Sequence, residues 1–216
     1  MGKLIFTPFQ KLIFNEFSRD KNLRENFYFG GGTALSVFYF QHRYSEDLDF
    51  FSTKEFDQNL IIKIMNRLMK KLDITSKMTK KETVLWFELQ KGNEKLKIDF
   101  LDFPYKRVEK GLVYQGVRID SDKDIGANKI LTINLENNPK DYVDLFFLLK
   151  KYKIWDLIYL VEVKFRLRLD VLALGDDFLK AEELEFLPKM IKPLHLDQLK
   201  SFFRELAKKL GKKIVE

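Results

Sequence analysis

The sequence predicts an α/β (α+β) fold, in which a mixed β-sheet flanked by helices is followed by a carboxy-terminal helical bundle. Apolar and polar residues alternate with the period of a strand in "EDLDFFS", "TVLWFELQ", "EKLKIDFLDF" and "GLVYQGVRID". From Asp122 onward the apolar spacing is helical, as in "PKDYVDLFFLLKKY" and "LKSFFRELAKKLGKK". We therefore predict an α/β core over residues 1–121 and a helical domain over residues 122–216.

Local signals place the elements of the amino-terminal part. Thr7 and Pro8 are typical of the cap and first position of a helix. "NFYFGG" is typical of a short buried strand, and "GTALSVFYFQHR" predicts a helix that begins at Thr33. Phe56–Leu72 has the spacing of an amphipathic helix.

The later elements follow the same logic. Gly92 and Asn93 are turn residues between two alternating runs, which predicts a hairpin. "DKDIGANKILTINL" and "WDLIYLVEVKFRLR" predict further helices, and a last helix is expected from Leu196 to about Lys209.

Composition excludes several classes of protein. Of the 216 residues, 45% are hydrophobic, which is well above the range of disordered chains. The absence of cysteine excludes disulfides and thiolate chemistry. The apolar runs fall short of the roughly 20 residues of a membrane span, and no export signal opens the chain. We therefore predict a cytoplasmic protein without a membrane partner.

The net charge of +7 favours an anionic partner such as RNA, DNA or a nucleotide. The alternative is a lysine-rich surface that serves solubility alone. The sequence contains neither an RNP-like string nor zinc-finger spacing that would decide between them.

Glycines separate a predicted strand from a predicted helix in "FGGGT", Phe29 to Thr33. Glycine permits positive φ and close approach of a ligand, and the amides at the start of a helix attract anions. Residues Gly30 to Thr33 are therefore candidates for binding a triphosphate. The alternative is an ordinary turn.

Asp47 and Asp49 follow about fourteen residues later, at positions i and i+2 of a predicted strand. Both carboxylates then project from one face while Leu48 points into the core. Two adjacent like charges repel unless a cation lies between them, and Mg²⁺ takes carboxylate and phosphate oxygens. The alternative is a pair of solvated acids on an edge strand.

Asp99 in "KLKIDFL" supplies a third carboxylate, because it alternates with apolar residues on another predicted strand. Three carboxylates facing a glycine turn suit two-metal phosphoryl transfer. The alternative is that Asp99 pairs with Lys95 or Lys97. Asp102 competes for the role, but a regular strand places it on the opposite face.

"GGGTALSVFYFQHRYSEDLDFF", "KIDF" and "DIGANKILTINLENNPKDYVDLFFLL" together resemble the AbiEii/AbiGii-type nucleotidyltransferases. This family is a branch of the DNA-polymerase-β-like nucleotidyltransferase superfamily and includes toxins of type IV toxin–antitoxin systems. The resemblance covers about residues 27 to 150. It implies a nucleotidyltransferase-like sheet and a triphosphate site at Gly31, Gly32 and Thr33.

The resemblance also implies roles for the acids and the serine before them. Asp47 and Asp49 would bind the metal ions, and Asp99 would complete the metal triad. Ser45 matches the family's serine; without the family it would cap the turn into the strand.

Further residues match the family's later motifs. Lys129 would reach a nucleotide phosphate as a point charge. Asp141 and Asp144, one helical turn apart, match "KDxxD", where an acid positions substrate or lysine; the alternative for both is charge that complements the helix dipole. Arg43 matches the family arginine, which binds phosphate or braces the acids, and His42 before it is expected to be structural.

One departure stands out: the family often has an arginine before "KDxxD", where this chain has "NLENNPK". We expect a Mg²⁺-dependent enzyme, with Mn²⁺ as an alternative ion, that transfers a nucleotide from an NTP to an acceptor hydroxyl. The resemblance implies a tRNA 3′ end as acceptor, a toxin role and a cognate antitoxin. It also implies that the helical domain over residues 122–216 completes the active site through Lys129, Asp141 and Asp144 and offers a surface to the acceptor. The alternatives are a protein acceptor, a phosphohydrolase, or a non-catalytic nucleotide- or RNA-binding module on the same fold.

Overall fold

The computed structural model describes residues 5–133 and 137–215, with side chains up to residue 212. The chain forms two compact units. Unit 1 contains the residues up to Phe38, Ser45–Lys106 and Lys110–Ser121, and unit 2 contains Tyr39–Tyr44, Arg107–Glu109 and the residues from Asp122 onward. The two short segments of unit 2 thus precede the predicted boundary.

Unit 1 is built on a seven-stranded mixed sheet, counted over the described residues, with the order β3-β4-β5-β2-β1-β7-β6. Strand β1 pairs in parallel with β7, and β2 pairs in parallel with β5, whereas the other neighbours are antiparallel. The strands are β1 Tyr28–Gly30, β2 Leu48–Ser52, β3 Thr75–Lys80, β4 Val84–Lys91, β5 Glu94–Asp102, β6 Val113–Tyr114 and β7 Val117–Ile119.

Helices cover the apolar face of this sheet. Helix α1, Pro8–Arg19, begins as its sequence predicts, since Thr7 and Gln10 form a reciprocal capping box. The ring of Phe17 on α1 stacks on Phe50 of β2 with 3.8 Å between centroids. The remaining helices that begin in this unit are α2 Lys21–Asn26, α3 Gly31–Leu35, which continues as a π-helical segment Ser36–Phe40, and α4 Gln58–Leu72.

Unit 2 is helical. Its core contains the fully buried Leu145 and the rings of Tyr142, Phe178 and Phe203, of which Tyr142 meets Phe203 edge-on. The helices are α5 Asp122–Thr132, α6 Pro139–Leu149, α7 Ile154–Phe165, α8 Val171–Leu179 with a 3₁₀ extension Lys180–Glu183, and α9 Leu196–Val215. Together the sheet and these helices confirm the predicted α/β class.

Two local predictions were wrong, and one strand was not predicted. The helix expected from Thr33 begins at Gly31, because the Thr33 side chain bonds to a neighbouring loop instead of capping the helix. "GLVYQGVRID" forms a two-strand hairpin, since Gln115 and Gly116 take positive φ and turn the chain. Strand β3 was not predicted, because all its residues are exposed and no apolar alternation marks it.

One predicted stretch lies outside the described residues. It is "NLE" at 134–136, where the helix predicted from "DKDIGANKILTINL" ends and near which the family arginine is expected.

In the described part of the chain, every helix is too short or too polar to cross a membrane.

Candidate active site

The sheet register brings the glycine turn and two of the predicted acids into one row. Gly30 on β1 is opposite Asp49 on β2, and Asp49 is opposite Asp99 on β5. Neighbouring strands are about 4.8 Å apart, so the two carboxylates are neighbours. Leu48 is fully buried and Asp49 is not, so Asp49 projects from the face opposite the core. Asp47 precedes the strand, which begins at Leu48 and not before Asp47 as predicted, but its charge still acts on Asp99. We call Asp47, Asp49 and Asp99 the acid face.

The glycines are needed because Asp49 lies against the backbone. Gly31 has φ +68°, and a β-carbon there would lie 2.1 Å from Asp49 Oδ2. At Gly30 a β-carbon would lie 2.8 Å from the ring of Phe51. Since only glycine avoids both the strained φ and the clash at position 31, the turn and Asp49 form one unit of structure.

Hydrogen bonds hold the loop that presents Asp47. Thr33 Oγ1 lies 2.8 Å from Ser45 Oγ and also bonds to the carbonyl oxygen of Asp47. Gln10 Nε2 donates to the carbonyl oxygen of Ser45 at 2.7 Å. Thr33 is 1% exposed, so its side chain fixes the loop from inside. Gly32 beside it is buried as well.

Lys97 is the counter-ion of the acid face. Its Nζ lies 2.7 Å from Asp99 Oδ2, which realises the alternative pairing that the sequence left open. Partial burial acts to lower the pKa of Lys97, but the hydrogen bond and charge of Asp99, together with Asp47 and Asp49, outweigh it and raise that pKa. One ammonium group therefore feels all three carboxylates.

Asp99 retains an unused acceptor. Its Oδ1 is buried and has no hydrogen-bond partner in the described part of the chain. Burial raises the pKa of Asp99, as does the charge of Asp47, while Lys97 opposes the shift. A buried acceptor beside a second carboxylate is the environment that a bound cation would stabilise, so the donor set fits a hard divalent ion such as Mg²⁺.

The side chains of the acid face nevertheless do not form a complete metal-binding site in the described part of the chain. Over residues 5–133 and 137–215, no three acidic or histidine side chains are gathered closely enough to hold an ion. The Lys97 ammonium already occupies one oxygen of Asp99. Asp102 lies three residues further along β5, on the opposite face as expected, and lines a different cleft with Gln58 and Lys81.

Unit 2 gathers the other predicted site residues around Asp144, which is fully buried on α6. Arg43 binds both carboxylate oxygens, through Nε to Oδ1 at 2.7 Å and Nη2 to Oδ2 at 2.8 Å. His42 Nε2 lies 2.7 Å from Oδ1. The backbone of this segment is fixed too, since Tyr44 N–H donates to the carbonyl oxygen of Lys189 at 2.8 Å.

Lys129, near the end of α5, joins the same group. Its Nζ lies 3.2 Å from Asp144 Oδ2 and also forms an ion pair with Asp141, in the first turn of α6. Burial acts to lower the pKa of Lys129, but Asp144 and Asp141 outweigh it and raise that pKa. We call His42, Arg43, Lys129, Asp141 and Asp144 the Asp144 cluster.

The charges in the Asp144 cluster are mutually satisfied. Burial alone would raise the pKa of Asp144, yet Arg43 and Lys129 hold it far below its usual range. Burial lowers the pKa of His42 in spite of its contact with Asp144. Asp144 is 0% exposed and Arg43 is 2% exposed, so Arg43 braces Asp144 inside unit 2. No sequence pattern marks these two residues as partners, because 101 positions separate them.

Solved structures that share the fold include two from Helicobacter pylori. JHP933 from Helicobacter pylori is 23% identical, covers 94% of this chain and 92% of its own, and has a TM-score of 0.57. A second H. pylori structure, described provisionally as a nucleotidyltransferase, is also 23% identical, covers 94% and 93%, and has a TM-score of 0.60. The molecule thus has the fold of these two structures.

Sequence comparison narrows the class to a family. An uncharacterized protein of Aquifex aeolicus (strain VF5) is 35% identical over 136 residues, so the match spans 61% of each chain and less than two thirds of that relative. Residues 16–213 match the family described as "Nucleotidyl transferase AbiEii toxin, Type IV TA system". The chain belongs to this AbiEii family, as the motifs in its sequence predict.

Proposed function

We propose that this protein is a divalent-cation-dependent nucleotidyltransferase that transfers a nucleoside monophosphate from an NTP to an acceptor hydroxyl. The observation that carries the proposal is the row Gly30–Asp49–Asp99, in which Asp49 lies on the Gly31 backbone and Asp99 keeps a buried acceptor unused. Membership of the AbiEii family supports the same reaction class.

In this proposal Asp47, Asp49 and Asp99 hold Mg²⁺, or Mn²⁺ in its place. The ions would neutralise phosphate charge and lower the pKa of the attacking hydroxyl. Gly31 and Gly32 leave the backbone open to the triphosphate, because no β-carbon stands between them and a ligand. Thr33 and Ser45 keep the Asp47 loop in place through the bonds described above.

The chemistry is a single exchange of bonds. The acceptor oxygen forms a bond to the α-phosphorus, the bond from that phosphorus to the bridging oxygen breaks, and pyrophosphate leaves with the electron pair. In this proposal Asp99 takes the proton of the acceptor hydroxyl, because its buried Oδ1 carries no other hydrogen bond in the described part of the chain. In the same proposal Lys129, whose side chain is 15% exposed, binds a phosphate group as a point charge.

We further propose that the acceptor is RNA, with a tRNA 3′ end as the first candidate, that the protein acts as a toxin in the cytoplasm, and that a cognate antitoxin opposes it. The family's description as type IV toxins supports the biological role, and the net charge of +7 supports an RNA partner.

The test is incubation of the purified protein with each of the four NTPs, labelled at the α-phosphate, with Mg²⁺ and total tRNA. Label in RNA is expected with the wild type and not with the Asp47→Ala/Asp49→Ala variant. The absence of transfer with every nucleotide, from a folded protein that binds Mn²⁺, would favour the non-catalytic RNA- or nucleotide-binding module instead.

A further inference from the structure

Beside Asp99, one face of the sheet is polar and uncovered within unit 1. Strands β5, β4 and β3 alternate so that their apolar side chains, such as Phe87 and Ile98, are buried on the core face. Side chains in register form three rows on the other face: Asp99–Trp86–Thr79, Lys97–Glu88–Lys77 and Lys95–Gln90–Thr75. The acid face and these rows therefore belong to one continuous surface, which we call the open face.

Trp86 is the one aromatic residue in these rows, all of which the structure describes. It is half-buried and directly opposite Asp99. The Nζ atoms of Lys81 and Lys97 lie 5.3 and 5.7 Å from the centroid of its ring. The core does not use this ring, because the core side chains of β4 point the other way. An indole on a polar face between two lysines is suited to stack on a ligand with a π-surface.

A cleft continues the open face away from Trp86. It has a volume of about 520 Å³, within the range of small-molecule sites, and Asp47, Lys77, Glu88, Lys95 and Lys97 are among its lining residues. From the row of Asp99 to that of Lys95 the surface extends about 13 Å along β5, and about 10 Å across to β3, at the usual spacings of a sheet. Such an extent exceeds that of one nucleoside.

We propose that the open face binds a single-stranded segment of nucleic acid, with one base stacked on Trp86 and phosphates bound by the lysines around it. Every base offers a π-face, so an aromatic platform accepts any sequence, while lysines bind phosphate as point charges. The part of this inference that makes the open face the site of the acceptor strand rests on the proposed transferase function. Strand binding is measured without turnover, so the binding proposal and the transferase proposal can fail separately.

The chain has two tryptophans, Trp86 and Trp155, which makes a spectroscopic test direct. The Trp155→Phe variant leaves Trp86 as the sole indole and is titrated with a single-stranded oligoribonucleotide in Mg²⁺ without NTP. We expect saturable quenching of Trp86 emission, and no saturable quenching in the matched Trp86→Phe variant. A fluorescein-labelled strand should bind Trp86→Ala about tenfold or more weakly than the wild type, the loss that one stacked base implies.

The outcomes separate the alternatives. Unchanged strand affinity in Trp86→Ala, with no quenching in Trp155→Phe, would overturn the proposal. Quenching by an NTP but not by the oligonucleotide would assign the ring to the incoming nucleotide and would also overturn it. Thermal unfolding and circular dichroism of both Trp86 variants check that the fold persists, and Trp86→Phe, which keeps a ring, should retain part of the affinity. If Trp86→Ala keeps both its transfer activity and the strand affinity of the wild type, the inference is wrong and the proposed function still stands.

Discussion

The acid face of unit 1 and the Asp144 cluster of unit 2 combine carboxylates with cationic side chains in opposite ways. On the acid face, Asp99 shares one partly exposed lysine with two other acids and keeps a buried oxygen without a partner. In the Asp144 cluster, a fully buried carboxylate is bonded by Arg43, His42 and Lys129. The pKa is accordingly raised at Asp99 and lowered at Asp144.

The contrast distinguishes two uses of a carboxylate. Both oxygens of Asp144 are bonded by cationic side chains, so this carboxylate holds its own helices and segments together. On the acid face, the buried oxygen of Asp99 lies near other carboxylates, which is the environment that a bound cation would stabilise.

The acid face should differ from the Asp144 cluster most strongly in its effect on nucleotide transfer. Asp49→Asn should reduce nucleotide transfer by about a thousandfold or more, because charge neutralisation by a bound ion is worth several kcal/mol in the transition state. The free energy of unfolding should not fall. Asp102→Asn, on the opposite face of β5, is the matched control and should keep its activity in the same assay of labelled RNA. Comparable losses in both variants would count against the acid face as the site.

The next effect concerns stability. Asp144→Ala leaves buried cationic groups without their partner, which typically costs about 3–5 kcal/mol of folding free energy. Urea unfolding followed by circular dichroism measures the change. Asp141→Ala is the control, since Asp141 is 14% exposed and should cost clearly less. If Asp144→Ala unfolds at the same urea concentration as the wild type, the Asp144 cluster does not stabilise the folded protein.

A pH-dependent effect follows from His42. Burial lowers its pKa in the folded protein, although Asp144 opposes the shift and Arg43 and Lys192 add to it. Near pH 6.5 and below, the unfolded chain therefore takes up a proton that folded His42 refuses. Stability should rise with pH through this window and fall as the pH is lowered, with a slope of up to about 1.4 kcal/mol per pH unit.

Urea unfolding between pH 7.5 and 5.5 tests this, with His42→Gln alongside. The difference between the slopes of the two proteins isolates the contribution of His42. Equal slopes would show that His42 takes up its proton over the same pH range in the folded and the unfolded state, and would contradict the prediction.

The smallest effect concerns Lys97. Its ammonium neutralises Asp99 before a cation arrives, so Lys97→Met should bind Mn²⁺ more tightly in the absence of nucleotide. The gain should reach about fivefold at most, because the lysine side chain is 43% exposed and exposed pairs contribute about 1 kcal/mol or less. Electron paramagnetic resonance of free Mn²⁺ measures it. Lys95→Met, one row away without this ion pair, should leave the affinity unchanged.

Much of the acid face could be predicted from sequence. Alternation places Asp49 and Asp99 opposite the core residues on each side of them, and the structure keeps that arrangement. The α1 start at Thr7 and Pro8 was also predictable, because a cap depends on residues three positions apart. Strand β3 was not, since a strand exposed on both faces has no apolar period to mark it.

The residues that face the core and the positions that need glycine follow from local sequence, because backbone sterics and periodicity act over a few residues. Which distant residues become partners depends on the folded chain. The register of β2 on β5 made Asp49 and Asp99 neighbours, and Arg43 became the brace of Asp144 across 101 positions. Such pairings depend on the packing of whole elements, which leaves no periodic trace along the chain.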